Sequence, residues 1–263
     1  MTDHPLVTLL RKAVKPNLKP CVNISGGIDS TVLLHHLVEQ TDEPVHTYTL
    51  GFDGDENEYD YARNVAEHYG TVHHEVTVSN MLSRYADILK DFPYPHFNLW
   101  PWWVAQQQNH DQMIHCYIAE GGDEHFGGYW YKPRRPYVEH WQGFYTYVLP
   151  TYQAIYDHWC LKLMVPFHPN NLSWDATYPY YDDDHNKRFL RSAYRKLLPP
   201  FVINRKKCPG RFDYWVIWRK ELQPFFPNTH PTSEDDIRQL LNKWVTREWL
   251  KAQAWEPELL VPS

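Results

Sequence analysis

Between residues 25 and 30 the chain reads SGGIDS, and between 119 and 128 it reads AEGGDEHFGG. Gly26 and Gly27 carry no side chains, so their amide hydrogens can turn inward and bring backbone close to a ligand. A helix starting directly after them adds the positive end of its dipole, which points to an anion. The hydroxyls of Ser25 and Ser30 supply further donors to phosphate oxygens. Asp29 would repel a bare phosphate and makes sense where a magnesium ion stands between the two. The spacing is not that of the kinase-type phosphate loop, GxxxxGK followed by Ser or Thr, and no lysine follows the glycines. At ordinary residue frequencies an S-G-G-x-D-S string arises by chance on the order of once in a few thousand chains of this length.

Alternation of strand and helix patterns is needed to position such loops, and the first half of the chain has it. The pattern predicts strands at 21–24, 45–52, 71–78 and 113–119. Helices are predicted at 29–40, at 57–69 with Tyr61, Val65 and His68 on one stripe, at 80–89 capped by Ser79, and across 102–110. The implied fold class is α/β, a doubly wound and mostly parallel sheet with a helical C-terminal extension. Both glycine loops then follow strands at the carboxyl edge of the sheet, where ligands bind in such folds, and can meet there. Residues 137–165 and 186–198 read as helical, and Ser233 caps a last helix beginning EDDIRQLL. The expected division is a phosphate-binding α/β core over 1–136 and a mostly helical part over 137–263 that completes the site, the two forming one structural unit.

Composition excludes several classes. A formal charge of -6 argues against a surface that blankets phosphate backbone, so nucleic acid is disfavoured as a partner. Cys21, Cys116, Cys160 and Cys208 form neither a CxxC pair nor a zinc spacing and read as free thiols of a reducing cytosol, hence a cytoplasmic protein. No signal-peptide pattern and no apolar run of membrane-spanning length is present. The 12 tryptophans and 19 tyrosines read as packing material rather than base-stacking platforms. His73 and His74 point to opposite faces of a strand and make a poor metal pair, while DDDH (182–185) reads as a solvated loop and EDD (234–236) as a helix start.

The motifs carry a resemblance. SGGIDS resembles the pyrophosphate loop of the ATP pyrophosphatases of the adenine-nucleotide α-hydrolase type. AEGGDEHFGGYWY (119–131) is similar to the GEGGDELFGGY signature of asparagine synthetase C-terminal domains and the related β-lactam synthetases. LGFDGDENEYDYARNVAEHYGTVHHEV (50–76) and KRFLRSAYRKLLPPFVINRKKCPGRF (187–212) echo further blocks of that family, in its order.

The resemblance implies that a carboxylate attacks the α-phosphorus of ATP and that the acyl-adenylate then passes to ammonia or an amine. It implies that Ser25, Gly26, Gly27 and Ser30, with Gly121 and Gly122 of the second loop, hold pyrophosphate, and that Asp29 and Asp123 hold magnesium. Glu120 takes the position that handles the proton of the attacking nitrogen. Lys207 falls at the catalytic lysine, with Lys206 as the alternative register. Adenine is met by backbone near Ile24, Leu50, Gly51 and Phe52.

Three departures bear on the substrate. Thr2 stands where the family's glutaminase domain places its nucleophilic cysteine, so the expected nitrogen source is free ammonia, an amine, or a separate glutaminase subunit. The acidic acceptor segment is replaced by DFPYPHFNLWPWWVAQ (91–106), an aromatic wall, and VPFHP (165–169) has Pro169 in place of an acid. The acceptor is therefore a small-molecule or peptide carboxylate, with aspartate in doubt, and a homodimer is an open assembly. The rival readings are a nucleobase- or tRNA-modifying ATP pyrophosphatase and a degenerate nucleotide-binding partner subunit.

Overall fold

The computed structural model describes residues 4–52, 59–96, 99–128, 141–182, 186–206 and 214–253. Two compact units divide it: residues 1–51, 57–76 and 101–210 form the first, and 52–56, 77–100 and 211–263 the second. The boundary expected at 136/137 lies outside the described residues.

Among the described residues the sheet has five strands, β1 (Pro20–Asn23), β2 (His46–Phe52), β3 (Val72–Val78), β4 (His115–Tyr117) and β5 (Lys162–Met164), in the order β3-β2-β1-β4-β5. β1 runs parallel to both β2 and β4, pairing Cys21 with His46 and with Cys116, and β4 runs parallel to β5. Order therefore reverses at β1, because β2 and β3 extend to one side and β4 and β5 to the other. That switch point opens a crevice beyond the carboxyl ends of β1 and β4.

Alternation along β1 sends Val22 to one face and Cys21 and Asn23 to the other. On the Val22 face lie α1 (Pro5–Ala13), α2 (Ile28–Gln40) and α3 (Tyr59–Tyr69), with the helices Arg188–Tyr194 and Pro200–Ile203. Leu6, Leu10, Val32, Leu33, Leu37, Val65, Leu190 and Val202 close this core. On the opposite face Asn23 Oδ1 accepts from Gln108 Nε2 of α5 (Pro101–His110) at 2.8 Å, and its Nδ2 reaches the Tyr156 hydroxyl of helix Leu149–His158 at 3.0 Å. Helices cover both faces, and the doubly wound α/β expectation holds.

Several local expectations are corrected. β5 interrupts the stretch read as helix over 137–165: after His158 the chain reverses at Cys160, whose φ is +53°, and enters a strand too short for alternation to signal. The buried face of α3 is Ala62, Val65 and Ala66, whereas Tyr61 and His68 are exposed. Ser79 does not cap the next helix, α4 (Met81–Asp91); within the second unit the Glu221 carboxylate accepts from the Met81 and Leu82 amides at 3.1 and 2.6 Å. A distant carboxylate thus serves the amides that a local cap would have taken. Asp182 is fully buried rather than solvated, its Oδ2 accepting from the Arg188 amide at 2.7 Å, and 183–185 lie outside the described residues. Ser233 does open the last helix, Glu234–Ala252, in a capping box with Asp236.

Cys21, Cys116 and Cys160 are free, and the register sets Cys21 Sγ 3.3 Å from Cys116 Sγ; Cys208 lies outside the described residues. Among the described residues no helix is long and apolar enough to cross a membrane.

Candidate active site

β1 delivers the chain into Ser25–Ser30 at its carboxyl end. Gly26 has φ +69°, and a Cβ there would stand 2.7 Å from the Tyr61 backbone carbon, so the turn and the closeness of α3 both require glycine. Gly27 is the N-cap of α2 and has no side-chain cap. The loop's polar groups meet one another only loosely. The Ser25 amide lies 3.4 Å from Ser30 Oγ, the Gly27 amide 3.4 Å from Ser25 Oγ, and Ser30 Oγ 3.3 Å from Gly27 O. Bonds this long are near the limit of useful hydrogen bonding, and an anionic oxygen would satisfy the same donors better.

The second loop follows β4 and enters α6 (Gly122–Phe126) through Gly121, whose φ is +95° and whose Cβ would lie 2.9 Å from Phe167 O. A Cβ on Gly122 would come within 3.1 Å of Asp29 Cγ, so its backbone lies against the first loop. The two glycine loops do meet.

Where they meet, one cation holds two acids. Lys187 Nζ contacts both Asp29 Oδ2 and Asp123 Oδ1 and is 2% exposed. Burial opposes its charge, but the carboxylates of Asp123 and Asp29 outweigh burial and raise its pKa above the ordinary lysine value. The second oxygen of Asp29, Oδ1, is buried and has no hydrogen-bond partner. Two carboxylates converging on one point, with a buried oxygen left over, fit a hard divalent cation such as magnesium. Lys187 was not singled out from the sequence as a site residue. Its signal is its place at the head of the KRFLRSAY block, and no spacing rule marks it.

Glu120 stands just beyond β4, where Tyr152 of helix Leu149–His158 donates to its Oε1 at 3.0 Å. Burial, then the Glu120 charge, raises the Tyr152 pKa well above normal, so the phenol remains a donor. Nothing in the sequence pointed to Tyr152.

Arg205 donates to Ser25 O at 2.6 Å and lies 3.9 Å over the Tyr61 ring. It fixes the segment that leads into Lys206, which is exposed; Lys207 lies outside the described residues. Ile24 is joined to β2 through its amide to Tyr48 O at 2.8 Å and through its carbonyl to Thr49 Oγ1 at 2.7 Å. Leu50, Gly51 and Phe52 are the last three residues of β2. Of the aromatic segment, Trp102 and Trp103 are buried in α5, Trp102 lying 4.4 Å from the His158 ring, so they pack rather than display an acceptor wall.

The profile of the asparagine synthase family matches residues 6–179. A protein of Methanocaldococcus jannaschii named as a glutamine-hydrolysing asparagine synthetase is 30% identical over 131 residues, which cover 46% of this chain and 25% of that one. Glutamine-hydrolysing asparagine synthetase 1 of Lotus japonicus is 25% identical over 230 residues, covering 78% and 36%. The chain thus spans a quarter to a third or so of the length of these relatives. Among solved structures, the NMN synthetase of Francisella tularensis aligns over 100% of both chains at a TM-score of 0.44 and 13% identity. The U34-tRNA thiolase of Methanococcus maripaludis aligns over 98% of this chain at 0.43 and 13%. With two thirds of its length under that family profile and both glycine signatures in place, the chain belongs to the asparagine synthase family.

Proposed function

We propose that the protein is an asparagine-synthetase-like, AMP-forming amide ligase. The observation that carries this reading is the Asp29–Lys187–Asp123 cluster, set between two glycine loops at the switch point of the sheet. A carboxylate oxygen of the acceptor attacks the α-phosphorus of ATP and the bond to pyrophosphate breaks, giving an acyl-adenylate. An amine nitrogen then bonds to the acyl carbon and AMP leaves, while Glu120 takes the proton from the nitrogen. The loop amides, Ser25, Ser30 and the start of α2 hold the departing pyrophosphate. Asp29 and Asp123 would hold magnesium, which spreads the charge that grows as that bond breaks. Lys206 or Lys207 adds a positive charge to the transition state, and Arg205 sets where that segment begins.

Nitrogen comes from ammonia, an amine, or a separate glutaminase subunit, and the acceptor is a small-molecule or peptide carboxylate. The test is pyrophosphate release from ATP and magnesium across a panel of carboxylates, with and without ammonia, in wild type and Asp29→Ala. Release that requires a carboxylate and disappears in the variant supports the ligase. Release that requires RNA instead would replace it with nucleobase modification, and tight ATP binding without turnover would leave only a regulatory subunit.

A further inference from the structure

On the outer half of α2, away from the phosphate loop, three ligand-type side chains converge. His35, His36 and Glu39 each offer one ligand atom, and the three atoms all lie within 4.8 Å of one another. We propose that these three residues form a second metal site, separate from the ATP site, that takes a zinc-class divalent transition metal.

The spacing has the right size. His35 Nε2 is 3.3 Å from Glu39 Oε1, and His36 Nδ1 is 3.2 Å from Glu39 Oε2. Zinc–nitrogen and zinc–oxygen bonds of about 2.0–2.1 Å place neighbouring ligands of a tetrahedron roughly 3.3 Å apart. Helical geometry explains the convergence, since Glu39 is one turn beyond both histidines, at i+4 and i+3, on the same side of the helix.

The outward nitrogens are held as a metal site would need. His36 Nε2 is 2.6 Å from the Tyr194 hydroxyl, and His35 Nδ1 is 3.4 Å from the Tyr69 hydroxyl. Without metal His36 Nδ1 donates to Glu39 Oε2; a bound ion takes the other tautomer, in which each outer nitrogen donates to its tyrosine and the inner nitrogens present lone pairs to the ion, and outer partners of this kind orient ligating imidazoles. His35 Nε2 is buried and has no hydrogen-bond partner despite its distance to Glu39. A buried polar atom left unsatisfied calls for a partner, and here that partner has two more ligands waiting beside it. Burial also lowers the pKa of both imidazoles, His36 to about 4, which favours the neutral form that binds metal. One group competes: Arg11 Nη2 is 3.4 Å from Glu39 Oε2, on the exposed side. It would yield to a divalent ion, and the same opening to solvent leaves room for a water as fourth ligand.

The chemistry of the set, two imidazoles and a carboxylate, suits zinc, cobalt or nickel and excludes magnesium as the preferred ion. Such an ion would tie α2 through Tyr69 to α3 and through Tyr194 to the helix that Lys187 precedes. It would thereby brace the frame of the phosphate site without touching substrate.

The test is calorimetric titration of the metal-free full chain with zinc and with magnesium, alongside cobalt spectroscopy. One equivalent of zinc is expected, with affinity at least tenfold weaker in Glu39→Gln, a substitution at an exposed position that leaves the fold intact. Zinc should also raise the thermal midpoint of wild type and not of Glu39→Gln, and Tyr194→Phe should weaken zinc binding by roughly tenfold or more. Zinc binding that is absent, or equal in wild type and Glu39→Gln, would overturn the proposal, the second case assigning the ion to other surface histidines. His35→Asn is the confirming variant and should lose binding with near-native circular dichroism.

Discussion

The ammonium of Lys187 rests against the carboxylate of Asp29, although 158 residues separate them in sequence. It also contacts Asp123, so the two acids that the family resemblance implies for magnesium are held here by a side chain of the protein itself. Three charges at this point form one electrostatic unit. In the proposed reaction a magnesium ion would have to share the acids with Lys187 or displace it.

Replacing Lys187 with Met should leave the carboxylates of Asp29 and Asp123 without the ammonium that bridges them. Loss of one member of a buried ion pair costs about 3–5 kcal/mol, and most of that is the charge left behind. Urea unfolding should therefore show a clear loss of stability for Lys187→Met in the absence of divalent ions. Millimolar magnesium should restore more stability to the variant than it adds to wild type. Equal responses of the two proteins to magnesium would show that the acids do not form its site.

Gly26→Ala addresses the first loop. Left-handed backbone at a non-glycine residue costs on the order of 1–3 kcal/mol, and here the added carbon would also meet the backbone of Tyr61. ATP affinity measured by fluorescence or calorimetry should fall by at least tenfold, because the loop can no longer close on α3. Gly70→Ala is the control: its φ is similarly positive, at +65°, but nothing lies within 4 Å of its added carbon. It should lose some stability while keeping ATP affinity.

Glu120→Gln should separate the two halves of the proposed reaction. The amide can still accept from Tyr152, so the local geometry survives, but no base remains for the nitrogen's proton. Pyrophosphate should appear in a first-turnover burst while amide formation drops by roughly 10²-fold or more. Tyr152→Phe should slow amide formation less and shift its pH profile, since only the orientation of Glu120 changes. Equal loss of burst and steady state in Glu120→Gln would place the residue in binding rather than proton transfer.

His125 makes stability depend on pH. It is fully buried, bonded to Thr177 Oγ1 at 2.8 Å and to Phe167 O at 2.9 Å, and burial lowers its pKa to about 4 from 6.5. The unfolded chain takes up this proton first, so the contribution is whole above pH 6.5 and drains away as pH falls toward 4. A gap of this size corresponds to something on the order of 3 kcal/mol. Denaturation midpoints of wild type should fall more steeply over that window than those of His125→Gln, with His36 and the other histidines common to both proteins. Parallel curves would refute the assignment.

Much of the site frame was legible because it is written in short range. Two glycines before an acid and a helix, or four glycines around Asp123, mark positions where backbone must pass close to something, and the structure shows what: the backbone of α3 at Gly26 and Phe167 at Gly121. The strand–helix alternation likewise located four of the five strands to within a residue or two. What was not legible depends on long range. β5 has three residues and owes its conformation to pairing with β4. Tyr61 looked like a core residue by helical period, but Arg205 draws it to the surface of the phosphate loop. Asp182 reads as one of a run of solvated acids until the fold buries it beneath the helix that Lys187 precedes. Lys187 itself carries no local mark, because a lysine before a helix is ordinary until two acids from elsewhere meet it.

The carboxylate that caps α4 also sets an order of assembly. The five strands of the described residues have been made once synthesis passes Met164, and the first unit then lacks its remaining residues up to 210. The start of α4, by contrast, waits for Glu221, 140 residues after Met81. Residues 77–100 therefore leave the ribosome long before their partners do, and Trp249, whose indole donates to Phe92 O at 2.8 Å, arrives later still. Residues 91–100, the first part of the aromatic segment, thus belong to the unit whose partners are synthesised after the strands, whereas 101–106 open α5 in the first unit and form with the sheet.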